Sequence, residues 1–478
     1  MRHRPPGLTR REAVASSIGA AAAIAAGENA MAERRQSSND APIHVRLFWT
    51  WDHSTDWALN RPGAQTLGAS NDYGRTTETF LQDYTNLLTW AGKHGIDGVV
   101  VWGLLRDQHG GVEAARKLCE VAQRCGVRLM AGVGLNAYGG VYYQGDHTFS
   151  LERRLRDRPE LYAVDPAGKR MAFDFGTVGP RVSHHACPSR PENQEFACES
   201  LRWLFRTLPL GGVQIETGDT GVCRCATCER RRRHPVSGFS WEDMALMYPM
   251  AADAIRSVAP DAWVLCETYS HPEPVTPAPG TAPGFGEGKP PWADACLDAF
   301  PEGAFVQWVC DNWVSPKLAA KWTAAGRVRS GRHRHVMRAH FGTYWGGLRG
   351  EPAVDWIADM ARRSMEAGCE GLSLFGEVSP FHTGAELNYL ALASYGSPRN
   401  PTADVSRFLR EVGGPLLGGA RNARDWLRFA RLLSDRARIP EALREVRRRA
   451  ADLPDEPARR WTWLANHLAS FVYPEPPL

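Results

Sequence analysis

Eight short apolar runs, each followed by a longer helix-like stretch, constrain this chain more than any other feature. They are Val45 to Thr50, Gly98 to Trp102, Arg128 to Val133, Gly212 to Glu216, Trp263 to Glu267, Phe305 to Cys310, His335 to His340 and Gly371 to Phe375. Such alternation is the signature of βαβ units and a parallel sheet. Eight strands is also the number that closes a barrel. Three runs share a local pattern, a Gly just before an apolar run, in GIDGVVVWG, LGGVQIETG and GCEGLSLFGE; a repeated helix-to-strand turn explains it. An open doubly wound sheet is the competing architecture, but no G-x-G-x-x-G follows the first run. The expected class is therefore α/β: a (β/α)8 TIM barrel over residues 43–396 with long βα loops. Residues 397–478, Arg-rich with Ala and Leu at helical spacing, read as a C-terminal helical extension with solvated arginines.

The first 32 residues read as a twin-arginine signal peptide, with 33–42 as a linker. Thr9, Arg10 and Arg11 precede an apolar run from Ala13 to Ala26, and Ala30-Met31-Ala32 offers a small-x-small cleavage site. The run is too short and too rich in Ala and Gly to span a bilayer core of about 30 Å, so the mature chain is expected to carry no membrane span. The expected location is periplasmic or extracellular. A net charge of +4 over 478 residues, without a ribbon of basic and aromatic residues, argues against a nucleic-acid partner. Seventeen Trp tilt the expectation toward a carbohydrate, because an indole face matches the C–H face of a sugar ring as well as it fills a core.

In such barrels the chemistry sits at the carboxyl ends of the strands, and those ends are rich in polar groups. The first run leads into Trp51, Asp52 and His53, the fourth into Glu216 and Asp219, and the fifth into Glu267 and Tyr269. The sixth leads into Asp311 and Asn312, the seventh into His340, and the eighth into Glu377. Any one carboxylate could cap the next helix, but five at five strand ends are hard to explain that way. Glycosidic hydrolysis needs one carboxylic acid to protonate the leaving oxygen and a second group to attack or to activate water. Glu216 is the expected acid, because burial at a strand end and the nearby Asp219 would both raise its pKa. Glu267 is the favoured partner and Glu377 the second choice. No cofactor is expected for this catalysis.

The order of elements, with Glu216 after the fourth strand and GVCRCATC behind it, resembles the α-glucuronidase-like and hexosaminidase-like barrel glycosidases of bacteria over residues 43–396. The resemblance implies a glycoside hydrolase. It departs from the largest barrel glycosidase group, which expects a carboxylate nucleophile after strand seven; here VMRAHFGTYWGG offers His340, Tyr344 and Trp345 but no Asp or Glu. A second reading is an inverting sialidase-like barrel in which Asp52 pairs with a histidine of the loop after strand three, with Arg181 or Arg338 holding a substrate carboxylate. A non-catalytic carbohydrate-binding barrel is a third. A metal-dependent amidohydrolase is a fourth, although the one H-x-H, His333 and His335, enters strand seven at its amino end.

The connection over residues 134–190 is far longer than a βα turn requires and reads as a wall or lid of the site. It supplies Asn136, Tyr138, Tyr142 and Tyr143 as sugar-contacting residues, beside Trp51, His53, Trp102, Arg338, His340 and Trp345 from the strand ends. It also carries His184 and His185, placed before a helix that Pro188 and Ser189 are expected to open, with His185 the candidate for chemistry. The Pro/Gly-rich stretch from His271 to Pro291 reads as a surface loop at the mouth. Together these loops favour a pocket for a terminal sugar, acidic in the uronide and sialoside readings. Of eleven cysteines, Cys223, Cys225 and Cys228 form a C-x-C-x-x-C loop just behind Asp219. With Cys187 as fourth ligand they could bind a structural Zn2+; one disulfide with a spare thiol is the alternative. The other seven fall in apolar patterns and read as core.

Overall fold

The computed structural model describes residues 42–58, 76–174, 182–310, 328, 331–341, 351–434 and 436–472. Residues 1–32, expected to be a signal peptide, and Arg181, Asp311, Asn312, Tyr344 and Trp345 lie outside them.

The eight apolar runs are eight strands: β1 (Val45–Trp51), β2 (Gly98–Trp102), β3 (Arg128–Gly134), β4 (Gly212–Glu216), β5 (Trp263–Glu267), β6 (Phe305–Cys310), β7 (Arg334–Ala339) and β8 (Gly371–Phe375). Every strand pairs in parallel with its sequence neighbours, and β8 closes on β1, with Trp49 opposite Phe375. The chain is a closed (β/α)8 barrel. The runs are nearly unbroken in hydrophobicity because both faces are covered, the outer by helices and the inner by the opposite wall.

Side chains alternate in and out along each strand. Val45, Leu47, Trp49 and Trp51 of β1, Val100 and Trp102 of β2, Leu265, Phe305, Val336 and Phe375 form the inner cluster. By the same alternation Gln214, Glu216, Glu267, Gln307 and Arg338 point inward, so the carboxyl end of the barrel interior is polar on the β4 to β7 side and aromatic on the β8, β1 and β2 side.

The outer layer includes α1 (Thr77–His94), α2 (Gly111–Cys125), α3 (Pro191–Thr207), α4 (Trp241–Arg256), α5 (Val354–Ala367) and α6 (Thr383–Ser394). A capping box between Thr76 and Thr79 starts α1, and Gly95 ends it in the left-handed region at φ 75°. The shared Gly pattern has two causes. Gly95 and Gly368 (φ 89°) are left-handed caps, but α3 ends at Leu208 in extended backbone, so LGGVQIETG does not repeat that turn. What all three runs do share is an inward-facing glycine at the strand start. A Cβ on Gly98, Gly212 or Gly371 would lie 2.9 Å from Leu47, 2.5 Å from the Trp263 carbonyl and 2.6 Å from Val336. Glycine there makes room at the narrow end of the barrel.

The long connection after β3 folds back on itself through a short helix (Leu151–Asp157) and a hairpin pairing Ala172–Asp174 with Val182–His184. Helix α3 starts at Pro191, three residues later than Pro188 led one to expect. The His271 to Pro291 stretch is not wholly irregular, since His271–Pro274 pairs with Gly288–Lys289. After residue 396 the chain is helical, including α7 (Ala420–Ala430), α8 (Ile439–Asp452) and α9 (Asp455–Val472). No helix among the described residues is long and apolar enough to cross a membrane.

Candidate active site

Glu216 is the last residue of β4 and faces the barrel interior with 6% of its surface exposed. Burial raises its pKa well above the ordinary carboxylate range, and the charges of Asp219 and Glu267 raise it further. Arg338 and a hydrogen bond from Tyr269 work the other way but do not prevail. Asp219, three residues on, is also shifted upward by burial, against a hydrogen bond from the Tyr138 hydroxyl. Three carboxyl groups therefore share one guanidinium. Of the two with raised pKa values, Glu216 is more enclosed than Asp219.

Glu267, at the end of β5, is fully buried and saturated with donors. Its Oε1 accepts the backbone N–H groups of Thr268 (3.1 Å) and Tyr269 (2.9 Å). Its Oε2 meets Gln307 Nε2 at 2.6 Å, Arg338 at 3.0 Å and, more distantly, Gln214 Nε2 at 3.5 Å. Such a carboxylate is an anchor: it fixes Arg338 and the turn carrying Tyr269, whose hydroxyl accepts the Gly218 N–H at 2.9 Å. Arg338 spends its other terminal nitrogen on His340 Nε2, 3.2 Å away. Burial and the adjacent guanidinium hold His340 well below its usual pKa, so its ring is neutral. With both ends occupied, Arg338 is poorly placed to hold a substrate carboxylate as well.

Asp52 belongs to a second polar centre on the β1 side. Arg106 grips it with Nε at 2.5 Å and its terminal nitrogen at 3.0 Å, and His109 Nε2 lies 3.2 Å away. Burial opposes its charge, but Arg106 and the two histidines prevail and hold the pKa well below the ordinary value. Asp52 is thus a fixed anion. Its histidine neighbours are His53, at 3.6 Å, and His109, whereas His185 of the long loop bonds Thr220 Oγ1 at 3.0 Å. Burial, then His184, lowers the His185 pKa to about 4, so at neutral pH it is uncharged.

An aromatic wall joins the two centres. Trp51 packs within 5.2 to 6.2 Å of Trp49, Trp102, Tyr143 and Tyr138, and Arg106 lies over the Tyr143 ring at 4.3 Å. Trp102 is fully enclosed and has no surface left for a sugar, so it backs the wall. Glu377 is equally buried and ties β8 to β1 by accepting the Trp51 N–H at 3.0 Å. Asn136 and His185 line a cavity of about 10 Å³ that reaches Thr217 and Gly218.

Behind this site Cys187, Cys223, Cys225 and Cys228 come together, with all four sulfurs within 4.8 Å of one another. None of the eleven cysteines is in a disulfide; six of the remaining seven are buried, and Cys125 is half-buried.

Sequence reasoning did not find Arg106, His109, Gln214 or Gln307. The two glutamines had a legible signal, a polar residue at an inward position inside an apolar strand. Arg106 and His109, in the loop after β2, had none.

No protein-family model matches the chain, and no curated protein matches it. Among solved structures it is similar to alpha-L-fucosidase isoenzyme 2 from Paenibacillus thiaminolyticus, at 13% identity over 73% of this chain and 48% of that one, TM-score 0.42. It is similar to a Glycoside Hydrolase Family 20 beta-N-acetylglucosaminidase at 13% identity over 80% and 76%, TM-score 0.40. The cyclic alpha-maltosyl-(1→6)-maltose hydrolase of Arthrobacter globiformis matches at 11% over 73% and 84%, TM-score 0.40. The chain spans about half the length of the fucosidase and of the Nostoc punctiforme debranching enzyme it also matches. The barrel of this chain rests on its own strand pairing.

Proposed function

We propose that this protein is a glycoside hydrolase whose general acid is Glu216 and whose second carboxylate is Asp219. The observation that carries the reading is the burial of Glu216 at the inward-facing end of β4, beside Asp219 and Glu267, which raises its pKa. Its carboxyl group sits inside the carboxyl end of the barrel, beside the half-buried Asp219, and both burial and the neighbouring charges favour its acid form. Hydrolysis needs a proton on the leaving oxygen and a second group at the anomeric carbon or at a water beside it. Glu216 supplies the first. Asp219 is the better placed of the remaining carboxylates for the second, because Glu267 has no free lone pair and Glu377 is sealed in the wall. Tyr138, kept protonated by burial among carboxylates, orients Asp219, and the Glu267–Arg338 pair keeps the floor of the site fixed.

The substrate we assign is a terminal sugar, on the length of the loop after β3 beside the strand ends. The Thr9-Arg10-Arg11 segment supports export by the twin-arginine route, which a fusion of residues 1–32 to a reporter would test.

Turnover of aryl α- and β-hexosides, uronides and sialosides tests the central reading. The protein should cleave at least one class, Glu216→Gln should lose about 10²- to 10⁴-fold in kcat, and sugar binding should survive. Silence of the native protein across the panel would defeat the proposal and favour a carbohydrate-binding barrel. Activity lost in Asp52→Asn but kept in Glu216→Gln would move the chemistry to β1.

A further inference from the structure

We infer that Cys187, Cys223, Cys225 and Cys228 bind one zinc ion in a closed tetrathiolate site that clamps the two loops bearing His185 and Asp219. Cys187 Sγ lies 3.7 Å from Cys225 Sγ and 3.6 Å from Cys228 Sγ. A tetrahedral ion with Zn–S bonds of about 2.3 Å requires sulfurs about 3.8 Å apart. A disulfide would instead draw one pair to about 2.0 Å and leave two thiols buried without partners; the observed spacing suits all four sulfurs at once.

Local structure supports the same ligand set. Cys223 and Cys225 lie in the loop after β4, and a short helix (Ala226–Arg231) begins just past Cys225 and turns Cys228 back toward them. Cys187 arrives from the other side, its N–H donating to Leu161 O at 3.0 Å, while Arg224 N–H donates to Val164 O at 2.7 Å. Ala163, Val164 and Met171 enclose the sulfurs in apolar contact. Four thiolates and Zn2+ leave two negative charges, and cations are placed to meet them. Arg232 sits on the Cys223 carbonyl at 2.6 Å, and Arg231 holds Ser189, whose hydroxyl is 3.1 Å from Cys228 Sγ. Asp243 anchors both arginines. Soft thiolates in this geometry select zinc over harder divalent ions, and four protein ligands leave no open position for chemistry.

The clamp works by position. His185 is two residues before Cys187, and Thr220, which bonds it, is three before Cys223; Asp219 is the next residue toward the barrel. The ion therefore joins the wall from the β3 loop to the β4 loop that presents Asp219.

The test is metal analysis of the purified full chain together with cobalt substitution. One zinc per chain is expected, with four thiols that react with a thiol reagent only after strong chelation. Cobalt replacement should give the intense sulfur-to-metal charge-transfer bands of a tetrahedral thiolate site, weakened in Cys225→Ser. Removing zinc under reductant should open the Arg224–Arg233 segment to trypsin, and zinc should restore protection. Bound iron, a cysteine disulfide in the native protein, or four freely reactive thiols after incubation with zinc would each overturn the inference. None of these readouts requires glycosidase activity, so the clamp and the catalytic reading can fail separately.

Discussion

The same burial that raises the Glu216 pKa makes its carboxylate a burden on the fold. A carboxyl group whose pKa is higher folded than unfolded binds its proton more tightly in the native state, so stability falls as pH rises between the two values. Glu216→Gln removes that cost. The variant should be more stable than the native protein at pH 8, with the gap closing toward pH 4, as read by urea unfolding across pH. Asp52 behaves in the opposite sense. Its folded pKa is depressed, so its contribution is present above the unfolded value of about 4 and is lost as pH falls below it. Asp52→Asn strands the buried Arg106 guanidinium and should cost about 3–5 kcal/mol at pH 7, less in acid. An equal loss at pH 7 and pH 3 would contradict the ion-pair account.

At the scale of elements, the barrel depends on glycine where large inner side chains crowd. A Cβ on Gly132 of β3 would collide with the Trp102 ring. Gly132→Ala should therefore cost about 1–3 kcal/mol by overpacking and shift the tryptophan fluorescence, whereas an unchanged midpoint would mean that Trp102 is free to move. The strands themselves are legible in the sequence, because a strand covered on both faces must be apolar throughout and these eight runs are. Their polar ends are legible too. What the sequence does not reveal is the partnering. Asp52 meets Arg106 and His109 only because the β2 loop returns across β1, and Glu267 is saturated only because Gln214, Gln307 and Arg338 converge from three other strands. A linear sequence shows similar carboxylates at five strand ends; the fold makes Glu267 an anchor and Asp52 a fixed anion, and leaves Glu216 buried with a raised pKa.

Across the whole molecule, the C-terminal helices are part of the barrel's outer layer. Arg460 of α9 grips Glu386 of α6 with both nitrogens at 2.7 Å, and Trp463 donates to His382 Nδ1 at 3.1 Å. Trp426 of α7 and Trp461 of α9 are fully buried. The back of the barrel closes on itself as well, since the Ile43 N–H donates to the Gly396 carbonyl at 3.2 Å. Unfolding should therefore be one cooperative transition when followed by both far-ultraviolet dichroism and tryptophan emission. Arg460→Met, which leaves Glu386 without its main partner, should lower the single midpoint and not split it. Two separate transitions would show that residues 397–472 are an independent unit.

The most direct test of the central claim is the leaving-group dependence of Glu216→Gln on a series of aryl glycosides of one sugar. A general acid matters most where the departing oxygen is a poor leaving group. The variant should lose about 10²- to 10⁴-fold in kcat/KM on the poorest leaving groups and approach the native rate on dinitrophenyl glycosides. A loss of equal size along the whole series, or none, would contradict Glu216 as the acid.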